Sequence, residues 1–140
     1  MVLLFKKSKE MKVAVLHEQE KQLSSKDKIK NECQKENVLA FDIYCDNLLI
    51  GFIMVQNFDN GAYFLWNYAI DYKYQNQNYG TTALIEFIDF MKNTYQMSKM
   101  TTTYICGNEH AKHLYEKIGF IETDVVDDED CHEVNMIYCC

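Results

Sequence analysis

The hydrophobic period of this chain changes near residue 79, and that change limits the fold to a sheet combined with helices. From residue 38 the apolar side chains follow a period of two, with Leu39, Phe41 and Ile43 on one face. Strands are predicted over residues 38–44, 48–56 and 62–70. Asp46-Asn47 and Asp59-Asn60-Gly61 indicate tight turns between them, so an antiparallel meander is expected.

After residue 79 the hydrophobic period becomes helical. A helix is predicted over residues 79–93 from a single apolar stripe that consists of Leu84, Phe87, Ile88 and Met91. A threonine-rich strand over residues 99–106 follows, and the order strand, helix, strand predicts a right-handed parallel crossover. The strand at residues 62–70 is apolar on both faces, which predicts a central position in the sheet.

The remaining elements complete an α+β domain that is expected to span residues 1–140. A second helix is predicted over residues 109–118, with Asn108 at its N-cap and Gly119 ending it in a left-handed conformation. Strands over residues 120–126 and 133–138 form a last hairpin across an acidic turn. Together, the predicted elements form a mixed, mostly antiparallel sheet with helices on both faces.

The first 37 residues are polar and rich in Lys and Glu, and their pattern is weaker. Met11, Ala14 and Val15 have the spacing of one helix face, as do Ile29 and Cys33. Two short helices are therefore predicted in this segment.

Charge and composition exclude several classes of protein. The 140 residues carry a net charge of −7 without a basic stripe, which disfavours nucleic-acid binding. No apolar run approaches the roughly 20 residues of a membrane span, and the apolar start is too short for a signal peptide, so a cytoplasmic location is expected. The six cysteines contain no Cys-x-x-Cys, so reduced, mostly buried thiols and no metal site are predicted.

Residues 74–81 form a polar loop between a buried strand and a helix. A turn at a helix N-terminus leaves backbone N–H groups unpaired and able to hold an anion such as a pyrophosphate. Gly80 permits close approach, and asparagine tolerates the left-handed conformation better than most residues. From these residues alone, a plain polar loop that opens a helix remains the alternative.

The helix at residues 109–118 carries the second distinctive segment. Ala111, Leu114, Tyr115 and Ile118 share one face. A tyrosine in such a stripe is usually a core residue, so the pattern by itself leaves a structural role for Tyr115 open.

Together the two segments resemble the GNAT superfamily of N-acetyltransferases. Gln75-x-x-Asn78-x-Gly80 is similar to its acetyl-CoA motif, and Asn108-x-x-Ala111-x-x-x-Tyr115-x-x-x-Gly119-Phe120 to its second signature. The likeness covers residues 38–138. Asn76 and Asn78 stand where the family usually has glycine. Residues 63–71 resemble the small bacterial spermine/spermidine (diamine) acetyltransferases, although Asn67 replaces a frequent arginine.

The resemblance implies acetyl-CoA as co-substrate and Tyr115 as the group that protonates the CoA sulfur. The sheet should splay after Ile70, so that pantetheine binds the backbone of Ala69 and Ile70. The other residues implied in cofactor binding are Gln75, Asn76, Gln77, Asn78, Tyr79, Gly80, Thr81, Asn108 and Lys112. The general base is not assigned, and a water chain ending on Asp71, Glu86 or another carboxylate is one option.

The expected acceptor is a small-molecule primary amine, with a polyamine such as spermidine or spermine first. Another acceptor, such as a protein N-terminus or an aminosugar, and a non-catalytic CoA-binding module remain alternatives. His110 and His113 are read as exposed helix residues rather than metal ligands, and the acidic turn at residues 127–130 as a solvated hairpin tip. The partners expected include no nucleic acid and no membrane, with a homodimer as one assembly.

Overall fold

A computed structural model describes residues 3–20, 22–129 and 131–140. The strands are β1 Leu3–Lys7, β2 Val38–Cys45, β3 Leu48–Asp59, β4 Ala62–Ile70, β5 Lys99–Ile105, β6 Ile121–Asp128 and β7 Cys131–Cys139. The helices are α1 His17–Glu20, α2 Lys26–Glu32, α3 Tyr79–Tyr95 and α4 Glu109–Ile118, with a 3-10 turn at Tyr72–Tyr74. The predicted order of elements from residue 38 onward is confirmed.

The strands form one mixed sheet in the order β1-β2-β3-β4-β5-β7-β6. Strand β4 lies at the centre, as its apolar faces predicted. Its pairing with β5 is parallel, and the other neighbouring strands pair antiparallel. The α+β class and the mostly antiparallel sheet are therefore confirmed.

Helices cover both faces of the sheet, which confirms that prediction as well. Helices α3 and α4 pack over a core that includes Phe41, Leu84, Phe87, Met91, Met100 and Tyr115. Helix α2 covers a smaller core on the other face, which includes Ile29, Cys33, Val38, Ala40, Phe52 and Met54. Burying one large apolar side chain contributes about 1.5–3 kcal/mol, so both layers stabilise the fold.

The N-terminal segment differs from its prediction. The helix inferred from Met11, Ala14 and Val15 is wrong, because residues 3–16 contain no helix and residues 11–16 have no regular structure. Met11 and Val13 are instead buried against the α2 core, and residues 3–7 form the edge strand β1. The second prediction is confirmed, with Ile29 buried in α2 and Cys33 at its C-cap. Contacts with the sheet override the weak local pattern.

The cysteines are also distributed differently. Among the residues whose side chains the structure describes, Cys33 and Cys45 are buried, whereas Cys106, Cys139 and Cys140 are exposed free thiols. The prediction of mostly buried thiols is therefore wrong for this set. Within the same described part of the chain, no helix is long and apolar enough to cross a membrane.

Candidate active site

The sheet opens between β4 and β5, and a β-bulge lies at the opening. Two consecutive residues of β3 pair with Asn67 and Leu65 of β4. Trp66, between them, has no partner and is the extra residue of a bulge in β4. The parallel pairing of β4 with β5 ends at Leu65 and Thr102. Because a bulge bends its strand and increases its twist, residues 66–70 diverge from β5. The predicted splay exists, but it begins after Leu65 rather than after Ile70.

The gap continues into a cleft of about 950 Å³. Several of the predicted site residues line it, namely Ala69, Ile70, Gln75, Asn76, Asn78, Gly80, Thr81, Asn108 and Tyr115. The structure does not place Gln77, Tyr79 or Lys112 among the lining residues. Tyr79 instead packs its ring against Tyr74, with 6.3 Å between the ring centroids. The two sequence segments singled out for chemistry thus meet in one cavity.

The loop before α3 has the backbone geometry of an anion cradle. Asn76 and Asn78 both adopt the left-handed conformation, with φ of 62° and 65°, which confirms the interpretation of these two glycine replacements. Asn78 is the N-cap but makes no side-chain cap hydrogen bond, and the first intrahelical bond joins Thr82 N to Asn78 O. In the described part of the chain, the N–H groups of residues 79–81 therefore remain available for a ligand.

Gly80 leaves space in the cleft that the fold does not need. A Cβ placed there would meet only Ile70 Cγ1, at 4.0 Å. The backbone of Gly80 is helical, so its conformation does not require glycine either. The free space beside unpaired N–H groups fits a pyrophosphate, whose oxygens need to approach the backbone closely.

Tyr115 is the buried residue of α4 and lines the cleft. Its side chain is 9% exposed, and burial raises the pKa of its hydroxyl, while a hydrogen bond with the Thr102 side chain acts in the opposite direction. Thr102 itself donates to the Leu65 carbonyl at 3.3 Å, at the last parallel pair. The phenol therefore stays protonated at neutral pH and is placed where the two strands separate.

The open edge of β4 presents backbone groups to the cleft. Asp71 N donates to Ile50 O at 2.7 Å, and backbone polar groups alternate sides along a strand. The groups of Ala69 therefore face β3, in agreement with a Gly51 position where a Cβ would lie 2.8 Å from the Ala69 carbonyl oxygen. The groups of Ile70 and Tyr68 face the gap left by β5.

Two residues of the sequence motifs already have hydrogen-bond partners. Gln75 Nε2 donates to the Ile70 carbonyl at 2.9 Å and to Gln19 Oε1 at 2.8 Å. Asn108 Oδ1 accepts from Ala111 N at 3.2 Å, which confirms its predicted role as N-cap of α4. Both side chains shape the cleft through the segments that they hold.

A further part of the cleft lining comes mainly from the N-terminal segment, and we call it, for the role proposed below, the acceptor wall. It consists of Val15, Leu16, Gln19, Gln22, Leu23 and Trp66. Asn67, which replaces a frequent arginine, is buried beneath it, and its Oδ1 accepts from Ser24 N at 2.9 Å. It therefore positions the wall instead of lining the cleft.

The sequence interpretation missed three residues of α4 that line the cleft. His110, His113 and Lys117 are exposed to solvent and belong to the lining. Their spacing of three and seven residues places them on one helix face, which is the signal that could have identified them. All three side chains can donate hydrogen bonds and Lys117 adds a positive charge, which is the chemistry that phosphate oxygens require.

The two carboxylates considered for a base are not in the lining. Asp71 Oδ2 accepts from Ala14 N and its Oδ1 from Lys73 N, both at 3.1 Å, so both oxygens have structural partners. Glu86 lies on α3 and is not among the described residues that line the cleft. Nor do the described His, Cys, Asp and Glu residues form a group of three that could hold a metal ion.

A family model and several solved structures match this chain. The model of the acetyltransferase (GNAT) family matches residues 7–120. Comparison with curated proteins gives no match. The fold is similar to a GNAT family acetyltransferase from Elizabethkingia anophelis with acetyl-CoA bound, with a TM-score of 0.74, 18% identity and coverage of 99% of this chain and 98% of that chain.

Two further solved structures share the fold. A spermidine N-acetyltransferase from Vibrio cholerae in complex with CoA and spermine has a TM-score of 0.68 and 18% identity, with coverage of 83% of this chain and 76% of that chain. Aminoglycoside acetyltransferase AAC(6')-Ib in complex with coenzyme A and kanamycin has a TM-score of 0.68 and 17% identity, with coverage of 82% and 77%. Such low identities establish a common fold, and the acceptors of these proteins differ from one another.

Proposed function

Because the chain belongs to the acetyltransferase (GNAT) family and is an acetyl-CoA-dependent N-acetyltransferase, we propose that it acetylates the primary amine of a small polycation such as spermidine or spermine. The observation that carries the proposal is the continuous cleft of about 950 Å³ through the sheet. Residues of the loop before α3, Tyr115 and the acceptor wall all line this cleft, which supports a site where cofactor and amine meet.

The residues of the cleft suit acetyl-CoA, which supplies an activated thioester. The N–H groups of residues 79–81 would hold its pyrophosphate, with His110, His113 and Lys117 able to bind other phosphate oxygens. The backbone groups of Tyr68 and the N–H of Ile70 offer hydrogen bonds to the pantetheine arm, as an added strand would receive, whereas the Ile70 carbonyl already accepts from Gln75 Nε2. This assignment keeps Ile70 from the sequence prediction and replaces Ala69 with Tyr68.

Tyr115 acts as the general acid in this proposal. Burial raises the pKa of its hydroxyl, so the phenol keeps its proton at neutral pH and can deliver it from Oη to the departing thiolate. The cleft also holds amine and thioester together, and such proximity lowers a barrier by up to about 7–11 kcal/mol.

The acceptor amine reacts only in its neutral form, whereas an alkyl ammonium has a pKa near 10.4. We therefore expect kcat/KM to rise with pH through the neutral range. Tyr115 should not impose a loss of activity below about pH 10, because its pKa lies above the ordinary tyrosine value.

Two observations support a polycationic acceptor. The net charge of −7 favours the approach of cations at low ionic strength, and solved structures of the same fold bind spermine or kanamycin. The predicted cytoplasmic location and homodimer belong to this proposal as further expectations.

A thiol-release assay over a panel of amines tests the proposal. The panel comprises spermidine, spermine, kanamycin, glucosamine and a peptide with a free N-terminus, with a reaction lacking acceptor as the control for hydrolysis. The polyamines should give the highest kcat/KM. If the peptide gave a kcat/KM well above that of every polyamine, the acceptor would be a protein N-terminus instead. If no amine were turned over, a CoA-binding module would be favoured.

A further inference from the structure

The segment that leads into the acceptor wall is hydrogen-bonded to the residues that directly follow β4. Ala14 N donates to Asp71 Oδ2 at 3.1 Å, and Tyr72 N donates to the Ala14 carbonyl at 2.9 Å. Helix α1, which follows, has only four residues. A helix of that length is not stable by itself, so its order depends on contacts with the rest of the molecule.

One of these contacts is a reciprocal pair of side-chain amides. Gln19 Nε2 donates to Gln75 Oε1 at 2.9 Å, and Gln75 Nε2 donates to Gln19 Oε1 at 2.8 Å. Gln19 Oε1 also accepts from Leu16 N at 3.2 Å, so the same side chain holds α1 and the segment before it. Both glutamine side chains are half-buried.

The two members of this pair belong to different substrate sites. Gln19 is part of the acceptor wall, and Gln75 begins the loop that leads into the phosphate cradle. We propose that the Gln19–Gln75 pair couples the two sites, so that acetyl-CoA bound at the cradle orders the acceptor wall. The inference rests on the proposed function, and it makes Gln19 a positioning residue with no contact to the reacting atoms.

The physical basis is a shared cost of ordering. A ligand that rigidifies the cofactor loop also fixes Gln75, and the amide pair then restricts Gln19 and α1. An acceptor that docks on an already ordered wall loses less conformational freedom. By linkage, a bound acceptor strengthens cofactor binding by the same factor, and such coupling is typically about 5–150-fold.

Amide hydrogen exchange with and without coenzyme A tests the coupling, because that probe does not require a known acceptor. In the wild type, CoA should slow exchange both at residues 79–82, in the cradle, and at residues 16–20, in the wall. Gln19→Met keeps the side-chain length but removes the two hydrogen bonds with Gln75 and the one from Leu16 N. In this variant, protection of the cradle should persist while added protection of the wall falls at least threefold.

Gln22→Met is the matched control, because Gln22 lines the same wall and has no described side-chain hydrogen bond. It should respond to CoA as the wild type does. Gln19→Glu is the second variant, since it keeps an oxygen for Leu16 N and Gln75 Nε2 and removes one donor. An intermediate response supports the proposal even if Gln19→Met unfolds the wall without cofactor.

Acceptor kinetics supply an independent readout. For the best amine of the panel, Gln19→Met should raise the acceptor KM about threefold to tenfold at saturating acetyl-CoA, with kcat within twofold of wild type. By linkage, the CoA affinity measured at saturating acceptor should fall by a similar factor. Equal wall protection by CoA in wild type and Gln19→Met would overturn the coupling while leaving the cofactor site intact. Absence of cradle protection in the wild type would overturn the cofactor site and the coupling with it.

Discussion

The hydroxyl of Tyr68 donates a hydrogen bond to the backbone carbonyl of Gly80 at 2.5 Å. This contact joins the open part of β4 to the first turn of α3, and so it helps to hold the strand edge beside the loop that we propose as the phosphate cradle. Burial and the nearby Tyr115 hydroxyl raise the pKa of Tyr68. The tyrosine therefore remains a donor throughout the physiological pH range.

Replacement of this hydroxyl should change stability in a pH-dependent way. Tyr68→Phe is expected to lose about 1 kcal/mol of unfolding free energy at pH 7, because the hydrogen bond to Gly80 is gone. The pKa of Tyr68 is higher in the folded than in the unfolded protein. Its contribution to the free energy of unfolding is therefore complete below about pH 10. As the pH rises further, that contribution is lost by at most about 1.4 kcal/mol per pH unit.

Urea unfolding of wild type and Tyr68→Phe between pH 7 and pH 11 checks this expectation. The difference between the two proteins should shrink above pH 10. A constant difference up to pH 11 would mean that Tyr68 titrates equally in the folded and unfolded chains.

Tyr115→Phe separates an enzyme from a binding module. Loss of the general acid should lower kcat by about 10²–10⁴-fold, with little change in the KM for acetyl-CoA. The measurement is kcat on the best acceptor, with melting temperatures alongside. Tyr138→Phe is the matched control, because Tyr115 and Tyr138 both pack on Phe120, with centroids 5.3 Å and 5.6 Å away. Activity of Tyr115→Phe within threefold of wild type would remove its catalytic assignment.

Gly80→Ala should stabilise the protein and weaken cofactor binding. Alanine gains about 0.5–1 kcal/mol over glycine inside a helix, and the added Cβ meets only Ile70 Cγ1 at 4.0 Å. The same methyl group would stand in the space assigned to the pyrophosphate. Calorimetry with CoA and thermal unfolding measure the two effects, and Gly80→Asp should weaken binding further through its negative charge. Unchanged CoA affinity in a folded Gly80→Asp variant would place the cradle elsewhere.

The left-handed conformation of Asn78 predicts opposite effects of two substitutions. Asn78→Gly should retain or increase CoA affinity, because glycine adopts a φ of 65° without strain. Asn78→Val should lower it, because a β-branched side chain resists positive φ. Asn47→Val is the control, since Asn47 has a φ of 71° in a turn outside the cleft lining and should lose stability without losing CoA affinity. Equal affinities of the two Asn78 variants would contradict this account.

The turns and helix caps that depend only on residues close together in the sequence could be predicted. The turn at Gly61 has a φ of 72°, Gly119 ends α4 with a φ of 123°, and Asn108 caps the same helix. Each depends on the conformational range of one residue or on a hydrogen bond within one helical turn. The meander and the central position of β4 followed similarly from local turns and from the apolar faces of one strand.

The opening of the sheet was decided by tertiary structure. The bulge at Trp66 exists because β3 and β4 change register there, and nothing within β4 marks that residue in advance. The β4–β5 pairing ends at Leu65, the residue next to that bulge. Strand β1 likewise exists through pairing with β2, which lies more than thirty residues later in the chain.

The sequence by itself determined the order of elements, the left-handed turns and the two motifs, because each rests on interactions among residues a few positions apart. Tertiary structure decided which motif residues face the cleft, and that His110, His113 and Lys117 join them. It also brought Gln19 to Gln75, 56 residues away. Contacts over such separations are selected by packing of the whole sheet, since the local sequence favours no particular distant partner.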